Sequence, residues 1–299
     1  MNDFIIKIIP VILIFFLGIL LKKIKVLKNS DSDLLLKLVF YVCLPSLTII
    51  STQKVELVWQ HLYIPAIPIV IVLFTFVLSS FFTSRLKISR QTKGTFIVGA
   101  MIMNTAFVFP FVLSAFGEEG FAFATIFQFG TGLSIFTFIY YIAMRHSPQA
   151  KKGIDLKKFL LLPPIWALTC GIILNLSGAE MPVIMENFFG LLGSPTIPLV
   201  MLSLGVYFKP EAKNIGRLSL VFIIRIVGGF LISMLLTSLL NITGMVRTVI
   251  VLCASAPVGY NTLVFSTMEN LDKEFAASLV SISLILGMVY IPILVYLLG

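Results

Sequence analysis

Long apolar stretches separated by short polar connections recur along the whole chain. Ten of these stretches are close to the ~20 residues that a helix needs to cross the hydrocarbon core of a bilayer. They cover residues 4–21, 34–51, 61–84, 94–117, 121–144, 159–177, 186–208, 217–239, 246–268 and 275–298. The pattern therefore predicts an all-α polytopic membrane protein with ten transmembrane helices, and the short connections leave no room for a soluble domain.

The fourth and ninth stretches are poorly suited to a continuous helix, because each carries a proline and polar side chains near its centre. The residues concerned are Asn104, Thr105 and Pro110 in the fourth stretch, and Pro257, Gly259, Asn261 and Thr262 in the ninth. A broken helix leaves backbone groups unpaired, and membranes tolerate this only inside protein or beside water. Matched breaks in two halves of a chain indicate a transporter's binding site, although a proline kink without any site remains the alternative.

The charges support this span count and predict an orientation. The chain is 59% hydrophobic, with a mean hydropathy of +1.07 and a net charge of +9. Seventeen of its 22 basic residues lie in odd-numbered loops, and two lie in even-numbered loops. The chain is therefore predicted to be a multi-pass protein of the cell (inner) membrane. Because positive residues stay on the cytoplasmic side, both of its termini are predicted to lie outside the cell. Positive charge confined to short loops does not indicate binding to nucleic acid.

The longest basic connection, residues 145–158, divides the chain into a first repeat at 1–150 and a second at 151–299, each with five spans. Five is an odd number, so the two repeats would enter the membrane in opposite senses. This predicts two inverted five-helix repeats with broken helices 4 and 9, and a binding site at the bilayer midplane between them.

The polar residues point to an anion rather than to a cation or to catalysis. No Asp or Glu lies deep in a span, which argues against a proton pump, an amine transporter or a carboxylate-type cation exchanger. Sodium coupling through backbone and amide oxygens stays open. Gln128 is a further candidate in the fifth span. Arg225, the one basic residue well inside a span, could bond to freed carbonyls, meet an anionic substrate, or extend to the headgroups.

Neither enzyme activity nor a bound cofactor or metal is predicted. The chain has no zinc-protease, nucleophile-elbow or phosphate-loop motif. Its three cysteines lie singly in apolar spans, where they are expected to act as small packing residues.

Several segments, in this order and spacing, resemble the auxin efflux carrier family, which includes bacterial malonate and malate carriers and the plant PIN-type auxin exporters. The similar segments are residues 38–47, 104–110, 115–120, 198–205 and 271–278, together with Pro257. One departure is that Phe107, Val108 and Phe109 lead directly into Pro110, without the glycine that often precedes this proline. The substrate pocket is therefore expected to be more apolar than in relatives.

The resemblance implies a scaffold of helices 1, 2, 6 and 7 that forms a homodimer interface, and a mobile transport domain of helices 3–5 and 8–10. It also implies that the broken helices cross at their prolines, with a substrate carboxylate near Asn104. The predicted function is secondary transport of small organic anions, such as malate, malonate or auxin-like acids, by an elevator-like alternating access. The alternatives are a non-transporting membrane sensor or scaffold, and a sodium-coupled transporter of the related bile-acid-symporter type.

Overall fold

The computed structural model describes residues 2–54, 59–148, 163–208 and 215–299. Within these ranges the chain is helical, and the extended backbone is limited to one isolated bridge between two residues. The helices are α1 (Asn2–Lys23), α2 (Ser30–Lys54), α3 (His61–Arg85), α4 (Arg90–Met101), α5 (Thr105–His146), α6 (Pro163–Ser177), α7 (Val183–Tyr207), α8 (Ile215–Leu239), α9 (Gly244–Ala254), α10 (Asn261–Met268) and α11 (Lys273–Leu298). The all-α prediction is confirmed for this part of the chain.

Six of the described helices are long and apolar enough to cross a membrane, namely α2, α3, α5, α7, α8 and α11. The ends of α2, α3, α7, α8 and α11 lie within a few residues of predicted spans, whereas α5 begins inside the predicted fourth span and continues through the fifth. Helix α5 is bent where Gly117 adopts φ +65° and ψ −160°, so it consists of a segment 105–116 and a segment 118–146. The predicted boundary between residues 150 and 151 lies outside the described residues.

The helices pack in two groups. In the first group, α1 lies along α7, and α2 packs on both α6 and α7. In the second, α3 packs on α4, α5 and α8, α9 packs on α5 and α8, and α10 packs on α11. Helix α5 also contacts α1, α2 and α7, so it lies where the two groups meet.

Side-chain caps set the starts of two helices in the second group and join them. The Ser89 hydroxyl accepts a hydrogen bond from the Thr92 N–H at 3.0 Å, and an Asp272 carboxylate oxygen accepts one from the Phe275 N–H at 3.0 Å. Such caps satisfy N–H groups that the first helical turn leaves unpaired. The Thr92 hydroxyl also donates to the Asp272 carboxylate at 2.8 Å, which ties the start of α4 to the start of α11.

Candidate functional site

Two helix breaks face each other in the core of the second helix group. The connection between α4 and α5 runs antiparallel to the connection between α9 and α10. The Asn104 N–H donates to the Pro257 carbonyl at 2.9 Å, and the Gly259 N–H donates to the Ile102 carbonyl at 3.0 Å. Each break therefore satisfies backbone groups of the other, which lies about 150 residues away along the chain.

Side chains from neighbouring helices satisfy further backbone groups at the crossing. The Tyr290 hydroxyl donates to the Ser255 carbonyl at 2.7 Å, and the Val258 N–H donates to the Ser283 hydroxyl at 3.1 Å. The carbonyls at the ends of α4 and α9 accept hydrogen bonds from Arg225. The interrupted backbone is thus embedded in protein, as a break at membrane depth requires.

The position of the first break differs from the prediction. The expectation that both helices cross at their prolines is wrong for Pro110, which lies inside α5, five residues after the helix begins. The chain breaks earlier because Asn104 caps α5 and its own backbone N–H pairs with Pro257 on the other connection. Pro110 removes one N–H from the helical ladder without ending the helix, whereas Pro257 does lie at the crossing.

Asn104 carries a polar group that the fold leaves unused. Its side-chain oxygen accepts from the Phe107 N–H at 3.2 Å, which fixes the orientation of the amide. Its side-chain nitrogen is buried and has no hydrogen-bond partner, and the whole residue is only 7% exposed. The neighbouring Thr105 hydroxyl donates to the side-chain oxygen of Gln128 on α5. An unpaired buried donor is costly, so a ligand that accepts from it would gain binding energy.

A cavity of about 640 Å³ opens beside the crossing, between the two helix groups. Its walls come from α2, α5, α6 and α7, from the start of α10 and from both connections. Apolar residues predominate, including Phe40, Phe109 and Phe136, and Lys37 is the one charged residue among the described residues that line it. The volume falls within the range of about 300–1,000 Å³ typical of small-molecule sites.

The structure brings together part of the predicted site. Among the candidate residues, those that line the cavity are Asn104, Thr105, Gln128, Gly259 and Asn261. Those that lie at or near the crossing without lining the cavity are Pro110, Pro257, Thr262 and Arg225. Thr262 is fully buried behind the crossing, and its hydroxyl has no hydrogen-bond partner.

Two further residues, Lys37 and Tyr260, contribute to the cavity wall. The sequence marked Tyr260 as a candidate because it flanks the second break, but it did not mark Lys37 as a site residue. Lys37 lies near the start of a predicted span, where its side chain is expected to extend to the headgroups, and it is an exposed residue at the rim of the cavity. Tyr260 comes directly before α10, and its ring packs edge-on against Tyr207 of α7, with 4.8 Å between ring centroids. The only sequence signal for Lys37 was its polarity in an otherwise apolar segment.

Comparison with known proteins fits a transporter. The sequence pattern of the family described as "Membrane transport protein" matches residues 3–295. An uncharacterized transporter of Methanocaldococcus jannaschii is 29% identical over 287 residues, which cover 91% of this chain and 92% of the relative. An uncharacterized transporter of Methanothermobacter thermautotrophicus is 27% identical over 291 residues, covering 96% and 95% respectively. The chain therefore belongs to the membrane transport protein family, which is the auxin efflux carrier family named on the residues above.

Proposed function

We propose that the chain carries small organic anions across the membrane by alternating access, and that it binds their carboxylate at the crossing. The observation that carries the proposal is the free side-chain N–H of Asn104, which lies at the start of α5 on the wall of the cavity. A carboxylate offers only acceptors, so it complements this donor.

The two helix starts add to the attraction for an anion. Helices α5 and α10 both begin at the crossing, and the connections that precede them line the cavity. A helix N-terminus carries about half a positive charge. No carboxylate stands among the described residues of the cavity wall to compete with an anionic guest, and Lys37 places a full positive charge at the rim.

The cavity favours acids with an apolar body. A short dicarboxylate such as malate would hold its second charge close to the first, among mostly aromatic and aliphatic side chains and away from Lys37 at the rim, which costs desolvation energy. An aromatic or branched monocarboxylate would place its apolar part against Phe109 and Phe136 while its charge meets Asn104. Within the proposed class, we therefore expect auxin-like acids to bind more tightly than malate or malonate.

The arrangement of helix ends supports ten spans and the proposed orientation. Contacts join the ends of α1 and α7 through Lys22 and the Phe208 carbonyl, and the ends of α4 and α5 through Arg90 and the Arg145 carbonyl. These ends belong to odd-numbered loops. A separate contact joins the ends of α2 and α6, which belong to even-numbered loops, through the Gln53 side chain. We propose that the odd-numbered side is cytoplasmic and that both termini lie outside.

The packing in two groups supports a scaffold of helices 1, 2, 6 and 7 and a mobile domain built from the rest, because the cavity lies between the groups. Movement of one group against the other would expose the site to alternate sides of the membrane. We also propose a homodimer, which rests on the resemblance, and a location in the cell membrane, which rests on the apolar spans and their short loops. Membership of a transporter family agrees with the prediction that the chain is not an enzyme.

Uptake into proteoliposomes tests the proposal. Purified protein is reconstituted, and uptake of labelled indole-3-acetate, benzoate, malonate and malate is measured against empty vesicles. We expect saturable uptake, with the aromatic acids preferred. If none of these acids is taken up, and none shifts the melting temperature of the purified protein, the proposed substrate class is wrong.

Asn104→Ala tests the site itself. Removing a hydrogen bond to a charged group costs about 1.5–3 kcal/mol, so the apparent KM should rise about 10- to 100-fold. Asn187→Ala is the matched control, because Asn187 is exposed on α7 at the opposite end of the first helix group from Lys37. Equal uptake by both variants would show that the carboxylate binds elsewhere.

A further inference from the structure

Arg225 is fully buried in a π-helical turn of α8 that spans Ile223–Val227. Within the described part of the chain it forms no ion pair with an acidic residue. A buried guanidinium, which stays protonated, requires compensating charge or dipoles nearby. Those dipoles are backbone carbonyls, which carry no signal in the sequence.

The guanidinium bridges the ends of the two broken helices. One terminal nitrogen donates to the carbonyls of Ala100 and Met101 at 3.5 and 3.3 Å, and the other donates to the Ala254 carbonyl at 2.5 Å. Met101 ends α4 and Ala254 ends α9. Each helix C-terminus carries about half a negative charge, so the two together offset roughly one positive charge.

Gly229 allows this close approach. It lies one turn after Arg225 on α8, and a Cβ atom at this position would stand 2.1 Å from the Ala254 carbonyl oxygen and 2.4 Å from the guanidinium. Helix α8 can therefore lie directly against the end of α9. The site is built from three separate helices, all of which meet at the crossing.

We propose that Arg225 is a tethered cation that takes the place of a coupling ion. In ion-coupled transporters with broken helices, the freed carbonyls and half-helix C-terminal ends coordinate Na⁺ or H⁺. Here carbonyls of that kind already bind a covalently attached positive charge. The crossing therefore needs no dissolved cation to hold its two helix ends together, and binding of the anion is not linked to sodium at this position.

A rescue experiment tests the tethered cation without any substrate. Arg225→Ala exposes three carbonyls and leaves a space of guanidinium size. We expect its melting temperature to fall, and millimolar guanidinium, well below denaturing concentrations, to restore at least half of the loss. Urea, which has a similar shape but no charge, should restore none of it. Arg85 lies at the exposed end of α3. The melting temperature of Arg85→Ala should therefore stay near the wild-type value and should not change when guanidinium is added.

Two further variants keep the test decisive if Arg225→Ala does not fold. Arg225→Lys retains a positive charge, and Arg225→Gln replaces it with a neutral amide. We expect the lysine variant to be the more stable of the two. The proposal is overturned if both are equally destabilised, or if guanidinium rescues neither Arg225→Ala nor Arg225→Gln.

The cation dependence of the wild-type protein completes the test. We expect its melting temperature to be the same in sodium, potassium and N-methylglucamine chloride at equal ionic strength. A stabilisation specific to sodium would overturn the proposal. Because this readout needs no substrate, it stays valid even if none of the organic acids is transported. Where uptake is found, replacing sodium should leave its rate unchanged, a point that rests on the proposed function.

Discussion

Gly228 and Gly229 are neighbours on α8, but only the second lies against the crossing. A Cβ atom at Gly229 would overlap the Ala254 carbonyl oxygen, whereas at Gly228 it would meet the Phe74 ring at an ordinary 3.6 Å. Gly229→Ala should destabilise the protein by about 1–3 kcal/mol through overpacking. Gly228→Ala should be neutral, or more stable by up to about 1 kcal/mol, because alanine favours the helix. Thermal unfolding of the two variants in the same detergent makes the comparison.

Comparing Gly228→Ala with Gly229→Ala also separates two explanations of a loss of stability in Gly229→Ala. If both substitutions lower the melting temperature equally, the cost arises from the helix backbone and not from contact with α9. Guanidinium should not rescue Gly229→Ala, since Arg225 is still present in that variant.

At the scale of single residues, the sequence identified Asn104 as polar and central but gave no information about its partner. The carbonyl that accepts from its backbone belongs to Pro257, and long-range backbone pairing has no residue-type signature. Arg225 shows the same limit. Its burial and its lack of an acidic partner were predictable, and bonding to freed carbonyls was one of three options, but the choice among them required the positions of α4 and α9.

At the scale of helices, the two prolines of the broken segments have different surroundings. Pro110 lies within α5, and Pro257 lies in the connection that pairs with Asn104. Pro110→Ala would restore an N–H to the helical ladder, so we expect stability within about 1 kcal/mol of wild type. Pro257→Ala would loosen the connection that orients the start of α10, so we expect a larger loss of both melting temperature and uptake.

Measuring the melting temperature and uptake of both proline variants side by side tests which proline contributes more to the fold and to transport. If Pro110→Ala is the more damaging of the two, the prediction that the connection at Pro257 matters more is wrong.

Most helix bounds followed from hydropathy, because apolar runs of membrane length have few alternatives to a helix. The breaks were harder to place. A proline is the strongest helix-breaking signal in a sequence, so the break was predicted at Pro110. The observed break precedes it because a cap at Asn104 and a paired connection outweigh the loss of one hydrogen bond at a buried proline.

At the scale of the whole molecule, the distribution of positive charge predicts which helix ends face outward. Ser177 and Ser84 are both exposed, at the ends of α6 and α3 respectively. In a background in which all three cysteines are replaced, Ser177→Cys should react with a membrane-impermeant maleimide added to intact cells. Ser84→Cys should react only after the membrane is permeabilised. The opposite pattern would invert the proposed orientation, and equal labelling of both would contradict the span count.

The guanidinium at the crossing has an electrical consequence. In the proposed cycle, the two broken helices and Arg225 travel together, since hydrogen bonds join them directly. The fixed charge of Arg225 moves in one direction when the transport domain carries the anion and in the other when the domain returns. Its contribution to the current therefore cancels over a complete turnover, whereas the anion crosses once. A current recorded from oriented vesicles at steady state therefore counts the charge of the cargo alone, one elementary unit for each monocarboxylate delivered.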